Sequence, residues 1–114
     1  MNLHEKLNYV EYPCKDIAAT KHFFESAFGW SFVDYGPDYA AFNDGKTDGG
    51  FYHSATHVPA ANPLVVLYSE KLETALEAVE DAGGKISKEI YSFPGGRRFH
   101  FQDPAGNELA VWGE

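Results

Sequence analysis

Two stretches of the chain repeat each other at a fixed distance. IAATKHFFESAFGW (Ile17 to Trp30) aligns without a gap on LETALEAVEDAGGK (Leu72 to Lys85), with Ile17 falling on Leu72, 55 positions on. At the same offset Phe24 falls on Val79, Ala27 on Ala82 and Gly29 on Gly84. A duplicated unit must fold twice and pack on its own copy, so the repeat constrains the architecture more than any other feature. Leu72, Leu76 and Val79 follow the i, i+4, i+7 spacing of an amphipathic helix. Ile17, Phe24 and Phe28, at i, i+7 and i+11, share one helix face in the first copy, where Asp16 is a plausible N-cap and the glycines supply the stop.

Each helix follows a strand-like run, LNYVEYP (Leu7 to Pro13) or PLVVLYS (Pro63 to Ser69). Three short strand candidates come after each helix: SFVDYG, YAAFND and the run ending GGFYHS, then KISKEIYS, RRFHFQD and NELAVW. Turns are marked by Gly36-Pro37, Asp44-Gly45, Pro94-Gly95-Gly96 and Asp103-Pro104-Ala105-Gly106. Both halves therefore read β-α-β-β-β, an α+β chain with module one at residues 1–57 and module two at 58–114. The small, polar, proline-bearing segment Ser54 to Asn62 reads as the linker. Half of this chain is too short to bury much core alone, so residues 1–114 are expected to form one domain.

Strand alternation says what the sheets enclose. Leu7, Tyr9 and Glu11 share one face of the first strand, and Val10 and Tyr12 the other. Leu64, Val66 and Tyr68 alternate with Val65 and Leu67, and Glu108, Ala110 and Trp112 with Leu109 and Val111. Both faces are mostly apolar, so both are expected to be covered: one by the helices, the other by a cavity wall or another sheet.

Composition narrows the partners. Nine Lys and Arg face 17 Asp and Glu, and a net charge of −8 argues against nucleic acid or an anionic membrane surface. With 44% apolar and 16% aromatic residues the chain can build a core. No run approaches the roughly 20 apolar residues of a membrane span, and MNLHEKLNYVEY lacks the layout of a secretory leader. A cytoplasmic protein is expected. The single cysteine, Cys14, excludes an internal disulfide and a thiolate metal cluster.

The runs YVEYPCKDIAATKHFFESAFGW and GGKI…FPGGRRFHFQDPAGNELAVW resemble the vicinal oxygen chelate superfamily of glyoxalase, bleomycin-resistance and extradiol dioxygenase proteins. The match is best to its small, single-chain glyoxalase-related members. Its most specific pieces are FF-x-x-x-FGW, AGGK and F-x-DPAGNELAVW, and it covers nearly the whole chain. The resemblance implies paired βαβββ modules forming two half-barrels around a pocket, and a homodimer. In metal-using members, four His, Gln or Glu side chains from the first, fourth, fifth and eighth strands hold a divalent ion with open coordination positions.

Counting by the family's pattern from Asp16 and Asp103, the four positions fall on Tyr9, Phe51, Leu64 and Ala110. Leu64, Ala110 and Phe51 carry no donor atom, so no divalent metal cofactor is expected. The leading expectation is a protein that binds an unknown small molecule in an aromatic-lined pocket, as bleomycin-resistance proteins do. The alternative is an enzyme related to lactoylglutathione lyase (a lyase, isomerase or dioxygenase) working through a non-standard site.

Candidate pocket residues are Tyr9, Phe42, Phe51, Leu64, Tyr68, His100, Ala110 and Trp112, an apolar wall with a few polar tips. Aromatic stripes also fill cores, and His100 either lines the pocket or packs beneath it. Strand parity places Glu11, His53 and Glu108 toward one mouth as an acid/base set or a soluble rim. His53 and His57 fall on a strand end and the linker rather than on one helix face. Arg97 and Arg98, after a glycine turn, either grip a carboxylate or phosphate or pair with an acidic side chain. Cys14 has no base beside it in sequence to make it a nucleophile.

Overall fold

A computed structural model describes residues 4, 5, 7–56 and 63–114. The sequence-derived linker centres on residues 57–62, which, with His57 and the boundary between modules, lie outside the described residues. The first half contains β1 (Tyr9–Cys14), α1 (Ile17–Phe28), β2 (Ser31–Asp34), β3 (Tyr39–Asn43) and β4 (Asp48–His53). The second contains β5 (Val65–Tyr68), α2 (Leu72–Asp81), β6 (Lys85–Phe93), β7 (Gly96–Gln102) and β8 (Glu108–Gly113). Each half forms a four-stranded mixed sheet, in the orders β1-β4-β3-β2 and β5-β8-β7-β6. The first strand of each sheet pairs in parallel with the last, and the remaining pairs are antiparallel. Among the described residues no helix is long and apolar enough to cross a membrane.

Local chemistry sets the helix bounds. The Asp16 carboxylate accepts the Ala19 backbone N–H at 3.0 Å, and Gly29, at φ 71°, takes the left-handed conformation that ends α1. α2 has no side-chain cap, but Glu73 in its first turn complements the helix dipole. It ends at Asp81, and Gly84 donates back to the Val79 carbonyl at 2.9 Å.

One face of each sheet packs on the helices. From the first sheet Tyr12, Phe42 and Phe51 enter the core; from the second, Phe99, Phe101, Leu109 and Val111. Phe24 of α1 stacks on Phe51 (centroids 5.2 Å) and on Trp30 (4.5 Å), and Trp30 stacks on Phe42 at 4.5 Å. Phe23, one residue earlier, turns to Phe101 of the other sheet at 5.9 Å. Gly49 is required beneath this layer, because a Cβ there would collide with the Phe42 ring and the Val10 carbonyl.

The halves are also tied by a buried polar contact. Asn107 donates from Nδ2 to the Pro13 carbonyl at 2.9 Å and to Asp103 at 3.2 Å. Asp103 closes the β7–β8 turn by accepting the backbone N–H groups of Ala105 (3.0 Å) and Asn107 (2.8 Å).

The other face of each sheet carries no helix and is open among the described residues: Tyr9 is 44% exposed, Val66 42% and Tyr68 50%.

Two outcomes test this account. Phe51→Ala removes the ring on which Phe24 stacks, with an expected cost of about 3–5 kcal/mol in urea unfolding. Val33→Ala on the open face is expected to cost under about 0.5 kcal/mol. Burial pushes the Asp103 carboxyl up to about 6, against the pull of its N–H donors. The folded value lies above the ordinary 3.8, so the folded state binds the proton more tightly than the unfolded chain. Its stabilising contribution is then complete below about pH 4 and lost as pH rises through about 6, by roughly 2–3 kcal/mol. Unfolding midpoints of wild type and Asp103→Asn across that window should diverge, with the variant lacking this slope.

Candidate functional site

The uncovered faces hold the polar side chains that the core excludes. On the first sheet, Glu11 pairs in register with Gly50 and carries one end of a short chain of hydroxyls. Tyr39 Oη donates to Glu11 Oε2 at 2.9 Å, so Tyr9 Oη, 2.5 Å from Tyr39 Oη, is the donor to it. Gly50 makes room, since a Cβ there would strike the Tyr39 hydroxyl. Burial and the contacts with Tyr9 and Glu11 hold the Tyr39 hydroxyl well above the usual tyrosine range.

A longer chain crosses the second sheet. Arg98 is the register partner of both Tyr91 and Trp112, and His100 that of Ala110. Arg98 Nε donates to Tyr91 Oη at 2.5 Å. Tyr91 Oη lies 3.0 Å from His100 Nε2, and His100 Nδ1 lies 2.7 Å from Glu108 Oε2. An arginine only donates, so Tyr91 accepts from it; its own proton can go to Nε2 of a neutral imidazole with Nδ1–H on the carboxylate, or outward with Nε2–H donating to Tyr91. The His100 ring is buried, with only 4% of the residue exposed.

Arg98 sits 5.5 Å from the centroids of both the Tyr91 and Phe93 rings. Among the described residues it has no carboxylate partner. Arg97, one residue back, grips Glu73 of α2 with two nitrogens, at 2.5 and 3.3 Å. The glycine turn thus presents one arginine to an acidic partner and one to an open surface. Beside Arg98 is a recess of about 250 Å³ walled by Val66, Phe93, Gly95 and Trp112. Trp112 meets Phe93 edge to face at 6.3 Å and Tyr68 at 4.9 Å, and Tyr68 hydrogen-bonds Glu114. A larger groove, about 570 Å³ between α1, α2 and β5, has only Glu70 and Lys71 as charged lining groups and no convergent cluster.

Several sequence-derived placements need correcting. Phe42 and Phe51 do not line a pocket: Phe51 pairs in register with Tyr12, not Tyr9, and both phenylalanines lie under α1. For Phe51 the error is one residue in β4, which moves every side chain of that strand to the opposite face. His53 shares the parity of Phe51 and pairs with Cys14, so it does not join Glu11. Tyr9 and Glu11 lie on the first sheet, whereas Tyr68, His100, Glu108, Ala110 and Trp112 belong to the second and Leu64 immediately precedes β5. Ala110 is fully buried on its strand, at 0% exposure. Cys14 is inaccessible, and burial pushes its thiol up, away from a reactive thiolate.

Tyr39, Tyr91 and Phe93 were not singled out from sequence. In β6 the register shifts between Ile86 and Lys88 and again between Lys88 and Tyr91. Simple alternation therefore could not say which way Tyr91 and Phe93 point.

Among the described residues no three His, Cys, Asp or Glu side chains come together. Of the four positions counted by the family pattern, Tyr9 gives its hydroxyl to Tyr39, Phe51 turns to the helices, and Leu64 and Ala110 offer no donor atom.

A family model described as Glyoxalase/Bleomycin resistance protein/Dioxygenase superfamily matches residues 6–111. No curated protein matches the sequence significantly. Among solved structures, a glyoxalase-related enzyme from Fulvimarina pelagi is 15% identical with a TM-score of 0.82, covering 97% of this chain and 89% of its own. A mutant of the fosfomycin resistance protein FosX from Listeria monocytogenes, complexed with Mn(II) and 1S,2S-dihydroxypropylphosphonic acid, is 15% identical with a TM-score of 0.81, covering 98% and 93%. Hypothetical protein SA1046 from S. aureus is 13% identical with a TM-score of 0.80, covering 99% and 96%. At these identities the likeness establishes the shared fold.

The hydroxyl chain on the first sheet can be tested by titration. In Glu11→Gln the charge that penalises a tyrosinate is gone, so the Tyr39 hydroxyl should ionise at lower pH. Tyrosinate absorbance, with Tyr39→Phe as the reference, reads that shift.

Proposed function

Because the chain belongs to the Glyoxalase/Bleomycin resistance protein/Dioxygenase superfamily, we propose that it binds a small organic molecule on the open face of its second sheet, without a divalent metal. The observation that carries this reading is the recess of about 250 Å³ in which aromatic walls adjoin Arg98, a guanidinium with no carboxylate partner among the described residues. Small-molecule sites combine apolar walls with a few fixed polar groups in this way. The FosX complex contains Mn(II); here Tyr9, Phe51, Leu64 and Ala110 supply no comparable donor set, which supports metal-free binding.

The working unit on this reading is a cytoplasmic homodimer. Support for the dimer comes from the apolar and aromatic side chains left uncovered on the two open faces, Tyr9, Val33 and Tyr52 on one and Leu64, Val66 and Tyr68 on the other.

Two measurements test the proposal. Elemental analysis of untreated protein should find far less than one divalent ion per chain; a stoichiometric Zn, Ni, Fe or Mn would overturn the metal-free reading. A thermal-shift screen of small aromatic compounds should give hits that Trp112→Ala abolishes. A hit at 100 times its dissociation constant stabilises the fold by about 2.7 kcal/mol.

A further inference from the structure

The bonding chain on the second sheet has a consequence for the class of ligand. Arg98 uses Nε for Tyr91, and no other hydrogen bond or ion pair engages its two terminal nitrogens among the described residues. Those nitrogens form the planar fork that suits a carboxylate. The charged and titratable groups on this face around His100 are Lys88 and Tyr91 of β6, Arg98 of β7 and Glu108 of β8. Lys88 is exposed; Arg98 and Glu108 are partly buried and cancel each other's charge. A carboxylate arriving at Arg98 therefore leaves the linked cluster one negative charge in excess. His100 can restore the balance.

We propose that the recess takes a carboxylate monoanion with an aromatic or similarly apolar body, and that its binding is coupled to uptake of one proton by His100. The proposal rests on the recess being the ligand site. On this proposal the Tyr91 O–H of the free protein donates to His100 Nε2, 3.0 Å away. When His100 takes a proton from solvent, Nε2–H donates to Tyr91 Oη, and the Tyr91 proton turns outward to the carboxylate held by Arg98. Nδ1–H stays on Glu108 throughout. No covalent bond other than N–H is made, and the proton comes from the medium.

The sequence of bonds distinguishes this cluster from an ordinary structural network. A network built only to satisfy a buried histidine needs Tyr91 and Glu108, and nothing in it requires an arginine at the recess wall. Placing the guanidinium at the outer end of the chain links an anion site to the imidazole through a single hydroxyl.

Benzoate and benzyl alcohol, nearly equal in size, are suitable probes. Calorimetric titrations at pH 7.5, where free imidazole is mostly neutral, are run in buffers of different ionisation enthalpy. Benzoate is expected to bind at least about tenfold tighter than benzyl alcohol, the increment of one charge-assisted hydrogen bond. Its apparent enthalpy should vary with buffer by close to one proton taken up. Arg98→Gln should reduce benzoate to the affinity of the alcohol. Tyr91→Phe should weaken benzoate more than benzyl alcohol and remove the buffer dependence. In the wild-type protein, the His100 imidazole nitrogens followed by NMR should report protonation on adding benzoate, a readout that depends on no variant folding. Equal affinity for the two probes overturns carboxylate recognition while leaving the recess as a binding site. Failure of both to bind overturns the site together with the proposal. A benzoate preference without buffer dependence or an imidazole change overturns the coupling to His100.

Discussion

Phe24 holds the position on which the rest of the structure depends. Its ring lies between Trp30 and Phe51, and Phe23 beside it reaches Phe101 of the second sheet. One turn of α1 thus joins both halves through aromatic faces, a geometry that combines large buried area with preferred stacking. With the helices fixed on that side, each strand has its orientation decided. Tyr12, Phe42, Phe51, Phe99, Phe101, Leu109 and Val111 turn inward, and the alternating residues are left on the second face. The candidate site consists of what this packing excludes.

That exclusion explains why polar groups sit amid apolar ones on the open faces. Inside, Asn107 and Asp103 are engaged in closing a turn and holding the Pro13 carbonyl. On the open faces, the hydroxyls of Tyr9, Tyr39 and Tyr91 and the ring of His100 are joined into ordered chains, though water could have served several of them. The excess of acid behaves differently. Glu73 engages Arg97 and Asp34 engages Lys21 at 2.9 Å, exposed pairs that contribute little to stability.

The fold was legible because its signals are redundant. The 55-residue repeat, the Asp16 cap, the glycine stop after α1 and the turn residues all agree with one βαβββ unit used twice, and each element formed where its own pattern put it. Facing was legible only where alternation is unbroken. In β5, β7 and β8 it is, and the register pairs Tyr68 with Trp112 and His100 with Ala110. In β4 the pair Gly49-Gly50 gives alternation nothing to read, so Phe51 and His53 were turned outward by a one-residue error. In β6 two register shifts hid Tyr91 and Phe93. A glycine pair and a bulge are both places where backbone geometry, set by neighbours distant in sequence, overrides the local pattern.

Glu11 and Glu108 looked alike in sequence, one carboxylate on the first strand and one on the last. Their surroundings make them chemically different. On the first sheet the bonding chain runs Tyr9 to Tyr39 to Glu11: every hydroxyl proton is spent inward, and the chain ends on an anion. A surface of that kind repels a carboxylate and has no strong donor left to offer. On the second sheet the chain also ends on a carboxylate, Glu108, but it begins on Arg98, whose remaining N–H groups are unspent beside an aromatic recess. Direction, rather than residue type, is what separates the two faces. A chain that starts from a cation with spare donors can receive an anion and pass the effect inward through Tyr91 to His100, whereas one that starts from a phenol cannot.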